Sequence, residues 1–474
     1  MKIEQIYTGC LAQGAYYIES NGEVAIIDPL REVQPYIDKA KQDKAKIKYI
    51  FETHFHADFV SGHIDLADKT GATIIYGPTT AKTGFDMYVA KDEEIFQLGD
   101  ISLKVLHTPG HTMESSCFLL YDESGKETAI FTGDTLFIGD VGRPDLAQHV
   151  ISELTETKLA ALLYDSLQNK ILPLADDLIV YPAHGAGSAC GKNLSKETSD
   201  TLGNQKKTNY ALRPGLTKEV FVAELLHGLM PPPGYFPKNV LMNIGGYESI
   251  DTVMERGQKA FTPVEFEVIA NETKALIIDT RSAQAFAKAH IPNSISIGID
   301  GNFAVWVGTL VPDIKQEILL VAEPGREEEI IIRLARVGYD FALGNLKGGI
   351  SAWIKAGKDV ETITNINAAQ FADIESSHPE INILDVRKSS EYHSEHIINA
   401  ENTPLDYVNE SMKQVHPDKT YYVHCAGGYR SMTFISILRS RGYEHLINVD
   451  GGFKEIKDSG KFKLTNFVCP TTML

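Results

Sequence analysis

The second half of the chain repeats itself, and this repeat limits the possible folds more than any other feature. The segment IIDTR at 277–281 returns as ILDVR at 383–387. The dipeptide HI at 290–291 returns at 396–397, and both pairs are 106 residues apart. Solenoid units repeat every 20–50 residues or so, which makes each copy here a domain in its own right. Alternating β-rich and helical runs in each copy predict an α/β fold with a parallel sheet.

The second copy carries a cysteine at a strand-to-helix turn. Its predicted strand 420–423 leads into HCAGGYRS at 424–431, and a helix follows to Arg441. Glycines let such a loop curl its backbone N–H groups inward, and the helix N-terminus adds partial positive charge. Both features favour the thiolate of Cys425, which is the reactive form of a cysteine. Arg430 adds a planar fork of donors suited to a sulfonate or thiosulfate oxygen.

The first copy lacks this cysteine. Aligning 338–339 onto 442–443 places Arg326 on Arg430. The intervening loop, AEPGR at 322–326, is shorter and contains no cysteine, so this copy lacks the thiol of the other loop. We therefore expect it to be a structural or docking module.

A histidine-rich segment dominates the first half. The apolar run 47–51 predicts a buried strand, and THFHADF at 53–59 follows where that strand gives way to a loop. Imidazoles and carboxylates clustered there are ligands for a divalent transition metal. A His-x-His pair alone is weak evidence for a metal site, so partners elsewhere in the chain decide.

Three later segments supply such partners, each directly after a predicted strand and beside Gly or Pro, where loops display ligands. They contain His111 in TPGHT, Asp134 in FTGD and His184 in YPAHG. Together with VAIIDP at 24–29, the order of these motifs resembles the metallo-β-lactamase superfamily over about the first half of the chain. The resemblance implies an αββα sandwich.

Phe59 distinguishes between subtypes of that superfamily. Its dinuclear zinc hydrolases, such as glyoxalase II, have His-x-His-x-Asp-His, where the last His helps to hold a second metal. Phe59 stands at that position and cannot ligate. The motif therefore resembles the persulfide dioxygenases, which hold a single Fe(II) by two His and one Asp. The substitution disfavours a two-metal hydrolase and leaves a one-zinc hydrolase open.

By this resemblance, the expected cofactor is one Fe(II) per chain, and its ligands are His54, His111 and Asp134. Such a triad leaves three coordination positions open. Which histidine of the His-x-His pair ligates comes from the family, because spacing does not settle it. The residues expected to orient the ligands and bound water by hydrogen bonds are His56, Asp58 and His184.

The repeated half resembles rhodanese, the sulfurtransferase fold, twice over. The resemblance implies that Cys425 carries a sulfane sulfur as Cys-S-SH, assisted by Arg430 and by the loop glycines Gly427 and Gly428. The predicted fold class is therefore multidomain α/β, with an αββα sandwich followed by two rhodanese-like domains with parallel sheets.

The length of the chain and the positions of its prolines suggest where these domains lie. At 474 residues the chain is too long for a single core. We expect a persulfide dioxygenase domain at 1–245, a cysteine-free rhodanese-like domain at 255–360 and a catalytic rhodanese domain at 365–474. A predicted helix at 218–229 precedes the prolines 231–233, which cannot continue it.

Composition restricts partners and compartment. With 45 basic and 63 acidic residues, the net charge of −18 argues against binding to nucleic acid or an anionic membrane. The N-terminus lacks the apolar core of a signal peptide, and no run is long enough for a membrane span. Five scattered cysteines do not form a disulfide framework. We expect a cytoplasmic enzyme that self-associates as a homo-oligomer.

The whole arrangement resembles the persulfide dioxygenase–rhodanese fusions. The resemblance implies that dioxygen oxidises the terminal sulfur of a low-molecular-weight thiol persulfide, R-S-SH, to sulfite, releasing the thiol. Cys425 would then transfer sulfane sulfur, forming or consuming thiosulfate, in sulfide detoxification. Among candidate substrate contacts, Arg143 could pair with a substrate carboxylate or with Asp145. Tyr181 could hydrogen-bond a ligand or simply pack.

Two other functions remain open. A zinc-dependent thioester hydrolase of the glyoxalase II type, fused to a sulfur carrier, fits the same motifs if the metal is zinc. A non-enzymatic sulfur or redox sensor would use the rhodanese copies to bind partners. Metal analysis and turnover assays separate these from the dioxygenase.

Overall fold

The computed structural model describes residues 1–146, 155–192, 194–229 and 231–469. Residues 470–474, at the end of the predicted third domain, lie outside this part. The chain divides into two compact units, Met1–Asp251 with Ala335–Gly338 and Thr252–Leu334 with Tyr339–Leu474. Within the described ranges, no helix has the length and apolar character that crossing a bilayer requires.

Twelve strands in the described part of the first unit form two six-stranded sheets. They are β1 Lys2–Thr8, β2 Gln13–Ser20, β3 Glu23–Ile27, β4 Lys46–Glu52, β5 Thr73–Tyr76, β6 Tyr88–Val89, β7 Ile95–Leu98, β8 Ile101–His107, β9 Ser116–Tyr121, β10 Glu127–Gly133, β11 Ile179–Pro182 and β12 Asp200–Thr201. The first sheet has the order β1-β2-β3-β4-β5-β6, and the second has the order β12-β11-β10-β9-β8-β7. Both are mixed: β3 to β6 run parallel in the first, and β10 and β11 run parallel in the second.

Side chains along a strand of the second sheet alternate between its two faces, and each face contributes to a separate hydrophobic core. In β9, Phe118 and Leu120 face the first sheet, whereas Cys117 and Leu119 belong to a cluster on the opposite side. Successive side chains of a strand point to opposite faces, so an uninterrupted apolar strand fills both. Between the sheets, the ring centroids of Phe51 and Phe118 are 4.8 Å apart.

Helices cover the outer faces of both sheets. Helices α1 Gln34–Gln42, α2 His63–Thr70, α3 Glu156–Ser166, α4 Leu202–Thr208, α5 Lys218–Leu226 and α6 Phe236–Gly245 belong to this unit, and α7 Ile250–Gly257 begins at its end and continues into the second unit. Helices α1 and α2 lie against β4, while α3 and α5 pack on the second sheet. The first unit is therefore an αββα sandwich. The predicted helix at 218–229 was too long at its end, because the backbone of His227 is extended, with a ψ of 127°, and terminates α5 at Leu226.

The second unit contains two parallel sheets of five strands each. Their strands are β13 Ala260–Phe261, β14 Leu276–Asp279, β15 Ile295–Ser296, β16 Ile318–Val321, β17 Ala342–Leu346, β18 Asn365–Ile366, β19 Asn382–Asp385, β20 Ala400–Asn402, β21 Tyr421–His424 and β22 Leu446–Val449. The orders β13-β17-β16-β14-β15 and β18-β22-β21-β19-β20 are the same topology. The sequence repeat thus corresponds to two copies of one parallel α/β domain, and the predicted fold class is confirmed.

Helices connect the strands within each copy. They are α8 Pro263–Thr273, α9 Ala283–Lys288, α10 Phe303–Leu310, α11 Glu327–Arg336, α12 Gly349–Lys355, α13 Ala368–Ser377, α14 Ser389–Ser394, α15 Val408–Ser411, α16 Tyr429–Arg439 and α17 Gly452–Ser459. Helix α10 lies between β15 and β16, in a segment for which the sequence pattern predicted no helix.

The repeated Asp-x-Arg motif is a structural pair in both copies. Arg281 makes a two-pronged hydrogen bond to Asp279, and Arg387 does the same to Asp385. All four side chains are buried. A bidentate guanidinium–carboxylate pair satisfies a buried charge on each partner. The repeated motif is therefore structural in both copies, and residues that distinguish their functions must lie in the loops that differ between them.

A core substitution in the cysteine-free copy should be visible in tryptophan fluorescence, because both tryptophans of the chain, Trp306 and Trp353, lie there. Phe266 is fully buried, with its ring 6.1 Å from that of Trp353. We expect Phe266→Ala to lower the free energy of unfolding by about 3–5 kcal/mol. Urea unfolding followed by tryptophan emission measures this change. Val264→Ala, at an exposed position on the same helix, is the control, and equal midpoints for both variants would contradict the described core.

Candidate functional site

Three side chains from separate strand ends meet in the first unit. His54 follows β4, His111 follows β8 and Asp134 follows β10. All three are buried, and their possible ligand atoms lie within 4.8 Å of one another. Nε2 of His111 is 3.4 Å from Oδ2 of Asp134. The structure thus brings together the three residues proposed as metal ligands.

Hydrogen bonds set which ring nitrogen of each histidine faces the cluster. Nδ1 of His111 is 2.7 Å from the carbonyl oxygen of Arg143, so it carries the proton and donates. The Thr53 hydroxyl donates to Asp28 at 2.8 Å, which leaves its oxygen to accept from Nδ1 of His54 at 3.0 Å. Nε2 of each ring is then free to ligate, the arrangement common in metal-binding histidines.

The donor set fits a divalent metal ion. Both carboxylate oxygens of Asp134 are buried, without a hydrogen-bond partner among the described residues. A buried, unsatisfied carboxylate is costly unless a cation compensates it. Burial, reinforced by the neighbouring imidazoles, lowers the pKa of His54 well below its ordinary value, so this ring is neutral as ligation requires.

The second histidine of the His-x-His pair faces elsewhere. Nε2 of His56 lies 3.1 Å from Oδ1 of Asp28 and 3.3 Å from Oε2 of Glu52. Burial opposes the charged ring, but Asp28 and then Glu52 outweigh it and raise the pKa of His56 well above its ordinary value. The Phe59 ring packs on the His56 ring with centroids 4.3 Å apart. Nε2 of His56 is thus directed to Asp28 and Glu52, and these three residues form a group of possible ligands separate from the first cluster.

Glu52 is the second carboxylate in contact with His56. Burial raises its pKa to about 7. The Ser61 hydroxyl donates to Oε1 of Glu52 at 2.6 Å. The sequence proposed that His56 orients the ligands, and the structure shows its ring against that of His54, with centroids 4.2 Å apart.

A second cluster adjoins the first through Asp134. Nε2 of His184 lies 3.4 Å from Oδ2 of Asp58 and 3.5 Å from Oδ1 of Asp134. Cys190 joins them, since ligand atoms of Asp58, His184 and Cys190 lie within 4.8 Å of one another. Three donors thus surround this second position despite Phe59, which the sequence argument did not foresee. Cys190 follows His184 in a glycine-rich loop, and only the folded loop reveals their proximity.

An apolar cavity opens onto the first cluster. Its volume is about 820 Å³, and His111 is the predicted site residue in its wall. The apolar walls come from Phe55, Ala57, Met113, Leu146, Val240 and Ile244. His111 is therefore the member of the ligand cluster that borders the cavity.

The two predicted substrate contacts lie outside this lining. Arg143 makes hydrogen bonds of 2.6 and 2.5 Å to the two carboxylate oxygens of Asp145, and it is buried. The ring of Tyr181 stacks on Phe131 with centroids 5.3 Å apart, within the core between the sheets. For both residues the geometry favours the packing alternative that the sequence left open.

The cysteine loop of the second unit surrounds its sulfur with backbone. Cys425 is buried directly after β21, and the backbone N–H of Gly428 donates to its Sγ at 3.1 Å. Gly428 has a φ of 96°, which allows the loop to curl. Gly427 is exposed and faces open space. The predicted inward N–H group is thus present at Gly428.

Arg430 differs from its predicted use. Its two terminal nitrogens donate to both oxygens of Glu391, at 2.6 and 2.9 Å. Burial opposes the charge, but this pair raises the pKa of Arg430 above its ordinary value. The guanidinium that the sequence offered to a sulfonate is engaged with α14, because the neighbouring carboxylate matches its fork.

Comparison with known proteins agrees with this division of the chain. Residues 8–184 match the sequence profile of the metallo-beta-lactamase superfamily, and residues 262–356 and 368–459 match that of the rhodanese-like domain. A crystal structure of a metallo-beta-lactamase from Staphylococcus aureus is 31% identical, with a TM-score of 0.63. The alignment covers 73% of this chain and 98% of that one.

Similar sequences include proteins named as hydroxyacylglutathione hydrolases. A probable one from Schizosaccharomyces pombe is 34% identical over 163 residues, which is 34% of this chain and 58% of that protein. One from Pelagibacter ubique is 31% identical over 195 residues, which is 40% of this chain and 71% of that protein. This chain thus spans less than two thirds of the first of these relatives.

The two histidines of the pair should differ in their effect on metal binding. We expect His54→Gln to weaken metal affinity by more than about a hundred-fold, and His56→Gln by no more than about ten-fold, because only His54 belongs to the ligand cluster. Metal content after dialysis against graded chelator measures both affinities, with circular dichroism confirming folding. Equal losses in the two variants would contradict the assignment.

Proposed function

The chain belongs to the metallo-β-lactamase superfamily, with rhodanese-like domains in its second half, and from this we propose an iron-dependent persulfide dioxygenase coupled to a sulfurtransferase. The proposed overall reaction is R-S-SH + O₂ + H₂O giving R-SH, sulfite and two protons. The low-molecular-weight persulfide and dioxygen are the substrates, and the proposed setting is cytoplasmic sulfide detoxification.

One observation carries the proposal: the first cluster contains His54, His111 and Asp134, while His56 is directed to Asp28. Two imidazoles and one carboxylate with open positions are the donor set of non-haem Fe(II) oxygenases. Fe(II) bound there would supply the oxygen chemistry. A superfamily site that used both histidines of the pair would have one fewer open position.

The residues of this chain would prepare that chemistry in three ways. The carbonyl of Arg143 and the hydroxyl of Thr53 hold the two ligand rings in the tautomer that exposes Nε2. The apolar wall at Phe55 and Leu146 would admit a thiol persulfide and keep bulk water from its terminal sulfur. The cationic His56 would balance buried negative charge beside the site without taking a coordination position.

The second reaction would take place at Cys425. A persulfide there, Cys-S-S⁻, would be attacked by sulfite at its outer sulfur, so that the S–S bond breaks and thiosulfate leaves with a Cys425 thiolate. The N–H of Gly428 lies where it stabilises negative charge on Sγ. The reverse sequence would consume thiosulfate, and concentrations set the direction.

Oxygen consumption tests the first activity. We expect iron-loaded protein to consume dioxygen only when R-S-SH is supplied, with sulfite as product. His111→Ala should lower this rate at least about a hundred-fold, because a lost ligand removes the metal. His227→Ala, an exposed histidine of the same unit, should match wild type. Persistent oxygen uptake by His111→Ala would refute the proposed centre.

A zinc thioester hydrolase is the second candidate function. It is favoured by the cluster of Asp58, His184 and Cys190, which could hold another cation beside Asp134. Several sequence relatives are also named as hydroxyacylglutathione hydrolases. Two zinc ions per chain together with thioester cleavage would support this candidate, and one iron with persulfide-dependent oxygen uptake would exclude it.

The sulfur-transfer activity should depend on one thiol. We expect Cys425→Ser to abolish thiosulfate formation from persulfide and sulfite while leaving persulfide-dependent oxygen uptake within about two-fold, because the metal cluster lies in the other unit. Cys469→Ser, at an exposed cysteine of the same domain, is the matched control. Thiosulfate formation that survives in Cys425→Ser would exclude Cys425 as the sulfur carrier.

A further inference from the structure

The cysteine loop is in direct contact with the copy that has no cysteine. Tyr429 is the first residue of α16 and lies between Cys425 and Arg430 in the sequence. Its hydroxyl donates to the carbonyl oxygen of Gly298, which follows β15 of the first copy, at 2.8 Å. Farther along α16, the hydroxyl of Ser436 accepts from the backbone N–H of Ser296 at 2.9 Å.

Two glycines make room for the Tyr429 ring. A Cβ atom at Gly301 would lie 2.6 Å from ring carbon Cε2 of Tyr429, and one at Gly298 would lie 3.2 Å from it. Neither glycine is among the residues with positive φ. Glycine is therefore needed at Gly301 for space and not for backbone conformation, and an added methyl would act on the ring alone.

The segment that receives Tyr429 is held within its own domain. Arg326 donates to Asp300 at 2.6 Å, and Arg333 donates to the carbonyl oxygen of Ile299 at 2.7 Å. Arg326 is the residue that aligns with Arg430 of the cysteine loop. In the cysteine-free copy this arginine pairs with the exposed Asp300 of the segment that contacts the other copy's loop.

A second contact reaches the other side of the cysteine loop. Nε2 of Gln284, on α9 of the first copy, donates to Oδ1 of Asp450 at 2.9 Å. That oxygen would lie 3.2 Å from a Cβ at Gly428, the residue whose N–H points at the sulfur. Just beyond Asp450, the backbone N–H of Phe453 donates to the carbonyl oxygen of Cys425 at 2.6 Å.

We propose that the cysteine-free rhodanese-like domain braces the sulfur-carrying loop of its neighbour, and that Tyr429 is the positioning residue through which it acts. The proposal rests on the proposed sulfurtransferase function of Cys425. Tyr429 directly follows Gly428, so displacement of its ring shifts the Gly428 backbone and, through it, the Gly427–Gly428 peptide whose N–H points at Sγ. The first copy keeps its fold without a cysteine because its role is to hold this loop in its reactive shape.

Two single variants of the full-length protein test the brace. Gly301→Ala pushes on the ring from the neighbouring domain and should lower kcat for sulfur transfer from thiosulfate to an acceptor thiol about ten-fold. Tyr429→Phe removes only the hydroxyl and should lower it about five-fold. KM for thiosulfate should stay within about two-fold, because Tyr429 acts through its neighbour and does not contact substrate. Val264→Ala, exposed on the same domain as Gly301, should match wild type.

A double-mutant cycle separates positioning from general damage. In a Tyr429→Ala background, Gly301→Ala should have less than about a two-fold further effect, because the ring that its methyl displaces is absent. Tryptophan emission from Trp306 and Trp353 verifies that the cysteine-free domain is folded in each variant. The full ten-fold loss recurring in that background, or wild-type rates in both single variants, would overturn the brace.

The same experiment distinguishes failure of the brace from failure of the underlying function. If wild type transfers sulfur and Cys425→Ser does not, the proposed sulfurtransferase function is supported. The rates of the Gly301 and Tyr429 variants then test only the proposed positioning role. If wild type itself transfers no sulfur, the proposed function fails. In that case alkylation of Cys425, followed by mass spectrometry of its peptide, still reports on the brace, with slower labelling expected in Gly301→Ala.

Discussion

The contact of His56 with Asp28 and Glu52 determines what the first unit can bind. Both carboxylates are buried and lie against Nε2 of the His56 ring, and the neighbouring His54 enters the ligand cluster without it. Phe59 packs on the same ring from the other side. The aromatic residue therefore offers no ligand atom and also packs against the ring of His56.

In both units, groups that do not themselves react hold the reactive atoms in position. In the first, backbone and hydroxyl groups orient two imidazoles around a buried carboxylate that accepts no hydrogen bond from the described residues. In the second, a curled loop presents an N–H group to a buried sulfur, and a neighbouring domain holds that loop. Positioning by groups that do not themselves react is what makes a site effective when the reaction begins. The duplicated domain contributes through such positioning.

The sequence predicted where the strands end, and it therefore predicted most of the ligand cluster. His54, His111 and Asp134 each follow an apolar strand, and those strands end at one edge of the sandwich. Side-chain direction could not be read, since it depends on partners distant in the chain. Asp28 turns His56 away, Glu391 engages Arg430, and the loop after His184 brings Cys190 to Asp58. Helix α10 was missed because the alternation of strands and helices in the repeat does not mark it.

The most direct measurement is a crystal structure of the iron-loaded protein with anomalous scattering recorded at the iron edge. The account predicts one anomalous peak, bound by His54, His111 and Asp134, with His56 still against Asp28. A pair of peaks bridged by Asp134, with His56 or Cys190 as an additional ligand, would contradict it.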